Sequence, residues 1–478
     1  MKCPGIVISA LRGGSGKTII SIGIVAALRS LGKTVAPFKK GPDYIDAGWL
    51  ALAAGRPCYN LDTFLIEPDR VRHSFYTHMQ PGDVAVIEGN RGLYDCIDTH
   101  GMTSTAELAK LLDLPLILCL DATKTTRTLA AVVAGCAGFD RKLKLAGVIL
   151  NRVAGSRHES IVRRSIEEHC GIPVLGAVPK LGRQNFPERH MGLVPTPEHS
   201  WAKDSVTAAR DVAMEHLNME ALLRSIVAAS GDWPAEGGGP IYPRNVLTAS
   251  AVEPPAATRP RIGVMQDSAF QFYYPENIEA LIDEGADVVR VSPLRDQGLP
   301  DLDALYIGGG FPETHAGALA DNQSFRQQLS ALAEEGLPIY AECGGLMYLG
   351  EKLVLDSGTY PMAGVLPIVF GFSKKPQGHG YTILRVDHAN PFYPVGTEIK
   401  GHEFHYSKAI EWGGDDADLA FTMTRGKGLT ASRDGACYRN VLATYTHIHA
   451  LGTPLWARSM VQNAARYRSQ KNRRHALA

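Results

Sequence analysis

Through the first 180 residues the apolar positions fall in short unbroken runs separated by stretches of helical spacing. Runs at 5–8, 34–38, 83–88, 116–121, 146–151 and 174–178 lack the alternation of a half-exposed strand. They read as strands buried on both faces, as in parallel sheets. After the first run, Ile20, Ile24, Ala27, Leu28 and Leu31 recur at helical spacing, and Gly32 follows where a helix-ending glycine belongs. Residues 105–112 and 126–136 read as further helices, and 201–230 as one helix or two. This is the pattern of a doubly wound α/β domain, whose ligand site lies at the C-terminal ends of its strands.

A second α/β pattern opens at Arg261-Ile262-Gly263-Val264-Met265, with strands expected at 287–291, 304–307 and 338–341. Beyond residue 360 the pattern turns β-rich, with strands expected at 381–386, 398–406, 420–424 and 440–445 and a closing helix at 455–467. Residues 232–260 are rich in Gly, Pro, Ala and Ser and read as a linker. The expected division is therefore 1–231, a linker 232–260, 261–468 and a basic tail 469–478.

Composition narrows the function classes. A chain of 478 residues is too long for one core. Lys+Arg and Asp+Glu are both 49, a balance that argues against nucleic acid or a membrane surface as the main partner. No apolar run is long enough to span a membrane, and the N-terminus reads as a strand, not a signal peptide. Eight cysteines without CxxC pairs suit a reducing compartment, so a cytoplasmic chain is expected, and they carry no zinc signature. His402-Glu403-Phe404-His405 spaces its histidines by three, unlike the zinc-protease pattern.

The chemistry starts at Leu11-Arg12-Gly13-Gly14-Ser15-Gly16-Lys17-Thr18, between the first strand and the first helix. Gly13, Gly14 and Gly16 would let backbone N–H groups turn onto phosphate oxygens, with the helix N-terminus behind them. Lys17 would reach the β- and γ-phosphates of ATP, and Thr18 would hold Mg²⁺. The next strand ends in Lys39-Lys40-Gly41-Pro42-Asp43-Tyr44-Ile45-Asp46, and a later one in Glu88-Gly89-Asn90-Arg91-Gly92-Leu93-Tyr94-Asp95. Carboxylates at strand ends beside a phosphate loop are the usual Mg²⁺ partners, which singles out Glu88 and Asp43. Lys39 would neutralise charge on a transferring phosphoryl group. Asp46 either faces a second substrate or caps the helix beginning near Ala47. Asn151 either reads the adenine edge or is an ordinary turn asparagine.

In the second half, a strand runs directly into Glu342-Cys343-Gly344-Gly345 and then a helix. A thiol on a strand-to-helix turn is a nucleophile elbow. The Gly308-Gly309-Gly310 turn could supply the Gly309 N–H to an oxyanion hole shared with Gly344. His447, ending the last strand, is the candidate base.

Together these motifs resemble the cobyrinic acid a,c-diamide synthase family. The likeness covers nearly the whole chain through GGSGKT, FKKGPDYID, EGNRGLYD, GGGFPE, AECGG, GHEFHYS and YTHIH. The resemblance implies a P-loop domain like dethiobiotin synthetase and a domain like the class I glutamine amidotransferases. It implies phosphorylation of acetate side chains of a tetrapyrrole by ATP and Mg²⁺, followed by amidation with ammonia from L-glutamine. Asp43, Tyr44, Asp46, Glu88 and Asp95 then belong to the metal, nucleotide and macrocycle site, with Tyr44, Asp46 and Asp95 toward the macrocycle, and Cys343 is the nucleophile. The macrocycle stays open between cobyrinic acid, its metal-free relative, nickel-sirohydrochlorin and sirohaem, and a homodimer is an open alternative to a monomer. Two positions matter: His449 stands where amidotransferases of the ordinary triad type carry a Glu two places after the histidine, a Glu that relatives with this type of domain also lack, which leaves the orienting group open; and Cys96 follows Asp95 where many members have Gly. Two other readings compete. One is a partitioning-type switch ATPase with no use for Cys343; the other is an ammonia-using ligase with a decayed second half, which intact AECGG and YTHIH oppose.

Overall fold

A computed structural model of the chain describes residues 4–181, 188–189, 192–196, 201–228 and 259–477. The chain forms two compact units, Met1–Ile241 and Tyr242–Ala478. The expected linker lies outside the described residues except for 259 and 260.

The first unit is built on β1 (Gly5–Ala10), β2 (Val35–Lys40), β3 (Tyr59–Leu61), β4 (Val84–Glu88), β5 (Leu116–Asp121), β6 (Leu145–Val153) and β7 (Val174–Pro179). They form one parallel sheet in the order β3-β2-β4-β1-β5-β6-β7. The sheet is flanked by α1 (Lys17–Ser30), α2 (Ile45–Ala54), α3 (Pro68–His78), α4 (Thr105–Leu111), α5 (Thr128–Phe139), α6 (Ser156–Cys170), α7 (Ala202–His216) and α8 (Met219–Ala228). A short hairpin, β8 (Glu188–Arg189) with β9 (Gly192–Leu193), precedes α7. β1 lies between β4 and β5, where the winding reverses, so the loop after β1 opens into the crevice that such sheets use for ligands. The unbroken apolar runs are the buried strands: Ile6, Val7 and Ile8 of β1 and Ile117, Leu118 and Cys119 of β5 are all fully buried. β3 was not foreshadowed by the pattern, because three residues are too few to show a period. α1 approaches α7 closely, since a Cβ on Gly23 would fall 2.5 Å from the carbonyl oxygen of Ala209.

In the second unit, β10 (Arg261–Met265), β11 (Asp287–Val291), β12 (Ala304–Ile307) and β13 (Ile339–Glu342) carry a parallel half-sheet with α9 (Pro275–Asp283), α10 (Ala316–Asp321), α11 (Gln323–Glu334) and α12 (Gly344–Leu349). The β-rich part adds β14 (Lys352–Leu355), β15 (Gly358–Pro361), β16 (Ile368–Phe372), β17 (Gly378–Val386), β18 (Glu398–His405), β19 (Ser407–Trp412), β20 (Leu419–Arg425), β21 (Arg433–Tyr438), β22 (Val441–Thr444) and β23 (His447–Ile448). The main sheet runs β11-β10-β12-β13-β22-β21-β20-β17-β18-β23, parallel as far as β22 and antiparallel beyond; β15-β14-β16-β19 form a second sheet. The two faces of the main sheet carry separate apolar cores, one around Phe270, Phe325 and Leu346, the other around Tyr306, Tyr340 and Trp456. The closing helix α13 (Leu455–Leu477) outruns the expected 455–467 and takes in residues 469–477 of the expected basic tail. Lys471 there reaches Asp301 and lies 3.6 Å from Asp303. Among the described residues no helix is long and apolar enough to cross a membrane.

Candidate functional site

In the first unit the C-terminal ends of β1, β2 and β4 converge. Gly14 and Gly16 take φ of 74° and 85°, a backbone that only glycine enters cheaply, and α1 begins at Lys17. Glu88, the last residue of β4, is fully buried. Its Oε1 accepts from Lys17 Nζ at 2.8 Å, Thr18 Oγ1 at 2.8 Å and Lys39 Nζ at 3.2 Å. Among the described residues its Oε2 is buried without a hydrogen-bond partner. Lys39 also donates to Asp46 at 2.7 Å and lies 3.5 Å from Asp43. Burial opposes the charge on Lys39, but the carboxylates of Asp46, Glu88 and Asp43 outweigh it and hold the ammonium's pKa well above the ordinary value.

The expected division between Asp43 and Asp46 is reversed in the geometry. Asp43 accepts the N–H of Asp46 at 2.9 Å, pinning the start of α2. Asp46 projects inward, taking Lys39 and, at 3.3 Å, Thr18 Oγ1. The reason is local. A carboxylate three residues before a helical N–H is placed to accept it, and the first turn then carries the next carboxylate back over the phosphate loop. Burial, then the Asp46 charge, pushes the Asp43 pKa up to about 6; Asp46 is held low by Lys39 and Lys17 against its own burial.

Asn151 differs from the adenine-reading expectation. Its Nδ2 donates to the Ser15 carbonyl at 2.8 Å and its Oδ1 accepts the Arg152 N–H at 3.0 Å. A Cβ on Gly16 would sit 2.1 Å from that Nδ2, so the amide supports the phosphate loop from beneath. Gly13 has open space around it. Tyr44 is half-buried at the N-terminus of α2. Asp95 is exposed and folds its own loop by accepting the Gly92 N–H at 2.9 Å. Among the described residues no three His, Cys, Asp or Glu side chains form a metal cage on their own. The orphaned Glu88 Oε2, with Thr18 and Asp46 beside it, fits a cation that takes most of its oxygens from phosphate and water.

In the second unit, β13 ends at Glu342 and α12 begins at Gly344. Cys343 between them holds φ 46° and ψ −97°, a strained conformation for a residue with a side chain. The Gly344 N–H is directed at its sulfur, and the Cys343 N–H is fixed by the Thr444 carbonyl at 2.8 Å. Burial pushes the thiol well above its ordinary pKa, so the free site holds a thiol, not a thiolate. Gly309 lies against His447: a Cβ there would fall 2.4 Å from His447 Cε1. A Cβ on Gly344 would fall 2.9 Å from the Gly310 nitrogen. Cys343, Gly309, Gly344 and His447 thus share one site.

Sequence reasoning missed what surrounds His447. Its Nδ1 lies 3.3 Å from Oε2 of Glu342, which is fully buried, accepts from Tyr306 OH at 3.2 Å and takes the Ile448 N–H at 3.3 Å. His402 stacks on His447 with ring centroids 4.9 Å apart. Burial, with His447 and His449 nearby, holds His402 far below its ordinary pKa, so it is neutral. His449 pairs with the fully buried Glu276 at 3.5 Å. The HEFH stretch lies on a strand, and Glu403 accepts the N–H groups of Lys427 and Gly428 at 2.6 and 3.1 Å.

Comparison with known proteins follows the same division. Residues 6–193 match the family described as the CobQ/CobB/MinD/ParA nucleotide binding domain, and 261–454 match the CobB/CobQ-like glutamine amidotransferase domain. The chain is 43% identical over 458 residues to the cobyrinate a,c-diamide synthase of Magnetococcus marinus, covering 95% of this chain and 96% of that one. It is 37% identical over 465 residues to that of Archaeoglobus fulgidus, covering 97% and 98%. It is 38% identical over 466 residues to that of Methanothermobacter thermautotrophicus, covering 96% and 99%.

Proposed function

The chain belongs to the cobyrinate a,c-diamide synthase family, and on that premise we propose that it converts the a- and c-acetate carboxylates of cobyrinic acid, or a close relative, to amides. ATP would phosphorylate each carboxylate in the first unit, releasing ADP and leaving an acyl phosphate. Ammonia would then attack the acyl carbon, and phosphate would leave. Ammonia would come from glutamine in the second unit. The sulfur of Cys343 attacks the carboxamide carbon, and His447 takes the thiol proton and returns it to the departing ammonia. Water cleaves the thioester to glutamate.

The observation that carries this reading is the presence in one chain of two complete sets of parts. One is the Lys17, Thr18, Lys39 and Asp46 side chains gathered on and around Glu88; the other is the strained Cys343 elbow with His447 and Glu342. A switch ATPase has no use for the second set. Lys17 and Lys39 are positioned for charge developing on the transferred phosphoryl group. Thr18, Glu88 and Asp46 would hold Mg²⁺ together with phosphate oxygens, and the ion would neutralise the triphosphate. Glu342 would orient the His447 ring, the role left open by His449 at the usual Glu position.

The deciding experiment is mass spectrometry of products from cobyrinic acid, hydrogenobyrinic acid, nickel-sirohydrochlorin and sirohaem, with ATP, Mg²⁺ and glutamine. Each amidation replaces OH by NH₂, so counted mass steps give substrate and stoichiometry. Two steps on cobyrinic or hydrogenobyrinic acid are expected. No ammonia released from glutamine under any of these conditions would overturn the amidotransferase reading.

A further inference from the structure

Lys39 and Lys40 are successive residues at the end of β2, so their side chains leave opposite faces of the sheet. Lys39 is committed to Asp43, Asp46 and Glu88. Lys40 is only 6% exposed, yet among the described residues its ammonium has no hydrogen-bond acceptor and no carboxylate within ion-pair distance. The charged and titratable groups around it are Asp62, Cys96, Arg91 and Lys39. Asp62, which follows β3, is occupied in a turn, with Oδ1 accepting the Phe64 and Leu65 N–H groups at 2.8 and 3.0 Å. Cys96 and Arg91 belong to the loop after β4 that also carries Asp95. Burial pushes the Lys40 pKa down, and Asp62 and Cys96 only partly offset this. A largely buried lysine whose ammonium lacks a counter-ion is costly, and Lys40 and Arg91 here face one carboxylate, Asp62, already held in a turn.

We propose that Lys40 receives a peripheral, non-reacting carboxylate of the substrate. This rests on the amidase reading, in which the substrate is a macrocycle with several carboxylates. Only one of them at a time meets the γ-phosphate, and the Lys17–Lys39–Glu88 cluster serves that pole. The others enter as anions that need a counter-charge. Lys40 lies one residue beyond Lys39 on the other face, beside the loop of Asp95, so it holds the macrocycle by its rim while the phosphate pole works on another side chain. A carboxylate there supplies the missing partner.

The test uses the full chain with ammonium chloride as nitrogen source and cobyrinic acid as probe. Lys40→Met is expected to raise the KM for cobyrinic acid roughly tenfold or more, the effect of losing a charge-assisted hydrogen bond. The KM for ATP and the rate at saturation should stay near wild type, and Lys40→Arg should keep most of the affinity. Among mono-esters of cobyrinic acid, one should bind wild type as poorly as the free acid binds Lys40→Met, and that ester should cost the variant nothing further. If Lys40→Met does not fold, Lys40→Gln is judged by the same criterion. A wild-type KM for cobyrinic acid in the folded variant overturns the assignment. Failure of wild type to amidate cobyrinic acid at all would instead overturn the functional reading.

Discussion

The two sites store charge in opposite ways. In the first unit, Lys17 and Lys39 are held against Glu88, Asp46 and Asp43 within 2.7 to 3.5 Å. In the second, Cys343 is a protonated thiol, His402 is neutral, and strain in one backbone position takes the place of charge. On the proposed function, the difference follows from the chemistry. Phosphoryl transfer starts from a highly charged substrate and spreads that charge, so its counter-charges must already be fixed. Glutamine is neutral, and charge arises on the nucleophile only when the thiol proton moves, so the sulfur is held neutral until then while the Glu342 carboxylate waits beside His447. The contrast is broken or sharpened by removing one member of each set.

The largest effect is expected from Lys17→Ala, which should lower amidation roughly 10³-fold with either glutamine or ammonia, because activation precedes both nitrogen sources. Cys343→Ala should abolish the glutamine-dependent reaction and leave the ammonia-dependent one. Product formation with glutamine and then with ammonium chloride separates the two. A folded Cys343→Ala protein that loses both reactions would falsify the division of labour.

Next in size is Glu342→Gln. Loss of the carboxylate facing His447 should lower glutaminase kcat roughly 10²-fold, with the KM for glutamine and the ammonia-dependent rate near wild type. An unchanged glutaminase kcat would leave Glu342 as a core acceptor for Tyr306 and Ile448 alone.

Smaller again is the contrast between Asp46→Asn and Asp43→Asn. Asp46→Asn removes the charge facing Lys39 and Thr18 and should lower the ammonia-dependent kcat roughly tenfold. Asp43→Asn keeps an oxygen for the Asp46 N–H, so it should cost less in rate and little in stability. If Asp43→Asn is the more damaging, its charge matters beyond the helix start.

These residues also show where the sequence stopped being informative. Buried strands, the phosphate loop, the Cys343 elbow and the strand-end charges were readable, because each depends on neighbours in the chain. The roles of Asp43 and Asp46 were not, since order along a loop does not say which carboxylate turns back over the phosphate loop. Glu342 was hidden by a sound rule. Neighbours on a strand face opposite ways, so Glu342 and Cys343 should not serve one site. The turn at φ 46° breaks that rule. His402 reaches His447 through the pairing of β18 with β23, which no local period reveals. Asn151 looked free for a base because its contact with Ser15 spans the sheet.

The smallest effect on activity comes from a contrast between two aspartates that burial brings to the same pKa of about 6, Asp43 and Asp434. Asp434 is fully buried and, among the described residues, accepts from neutral donors alone, Thr444 Oγ1 at 2.7 Å and the N–H groups of Gly435 and Tyr445. Its folded pKa lies above the unfolded value of about 3.9. Between those values the folded chain keeps a proton that the unfolded chain has lost, so stability falls as pH rises from about 4 to about 6 and then levels off. A shift of about two units corresponds to at most about 3 kcal/mol. Asp43 shifts in the same direction, but its side chain is 25% exposed, its titration is tied to that of Asp46, and the Lys39 charge opposes the shift, so its share of the slope is smaller. The two should also read out differently. Ionisation of Asp43 should raise ammonia-dependent activity as pH passes about 6, whereas Asp434 should mark only the melting curve. Thermal unfolding between pH 4 and pH 7, with Asp434→Asn and Asp43→Asn beside wild type, separates them. Asp434→Asn should flatten most of the slope and leave the pH–activity profile in place. A slope that survives Asp434→Asn and disappears in Asp43→Asn would show that the charged site, not the neutral one, sets the acid response of the fold.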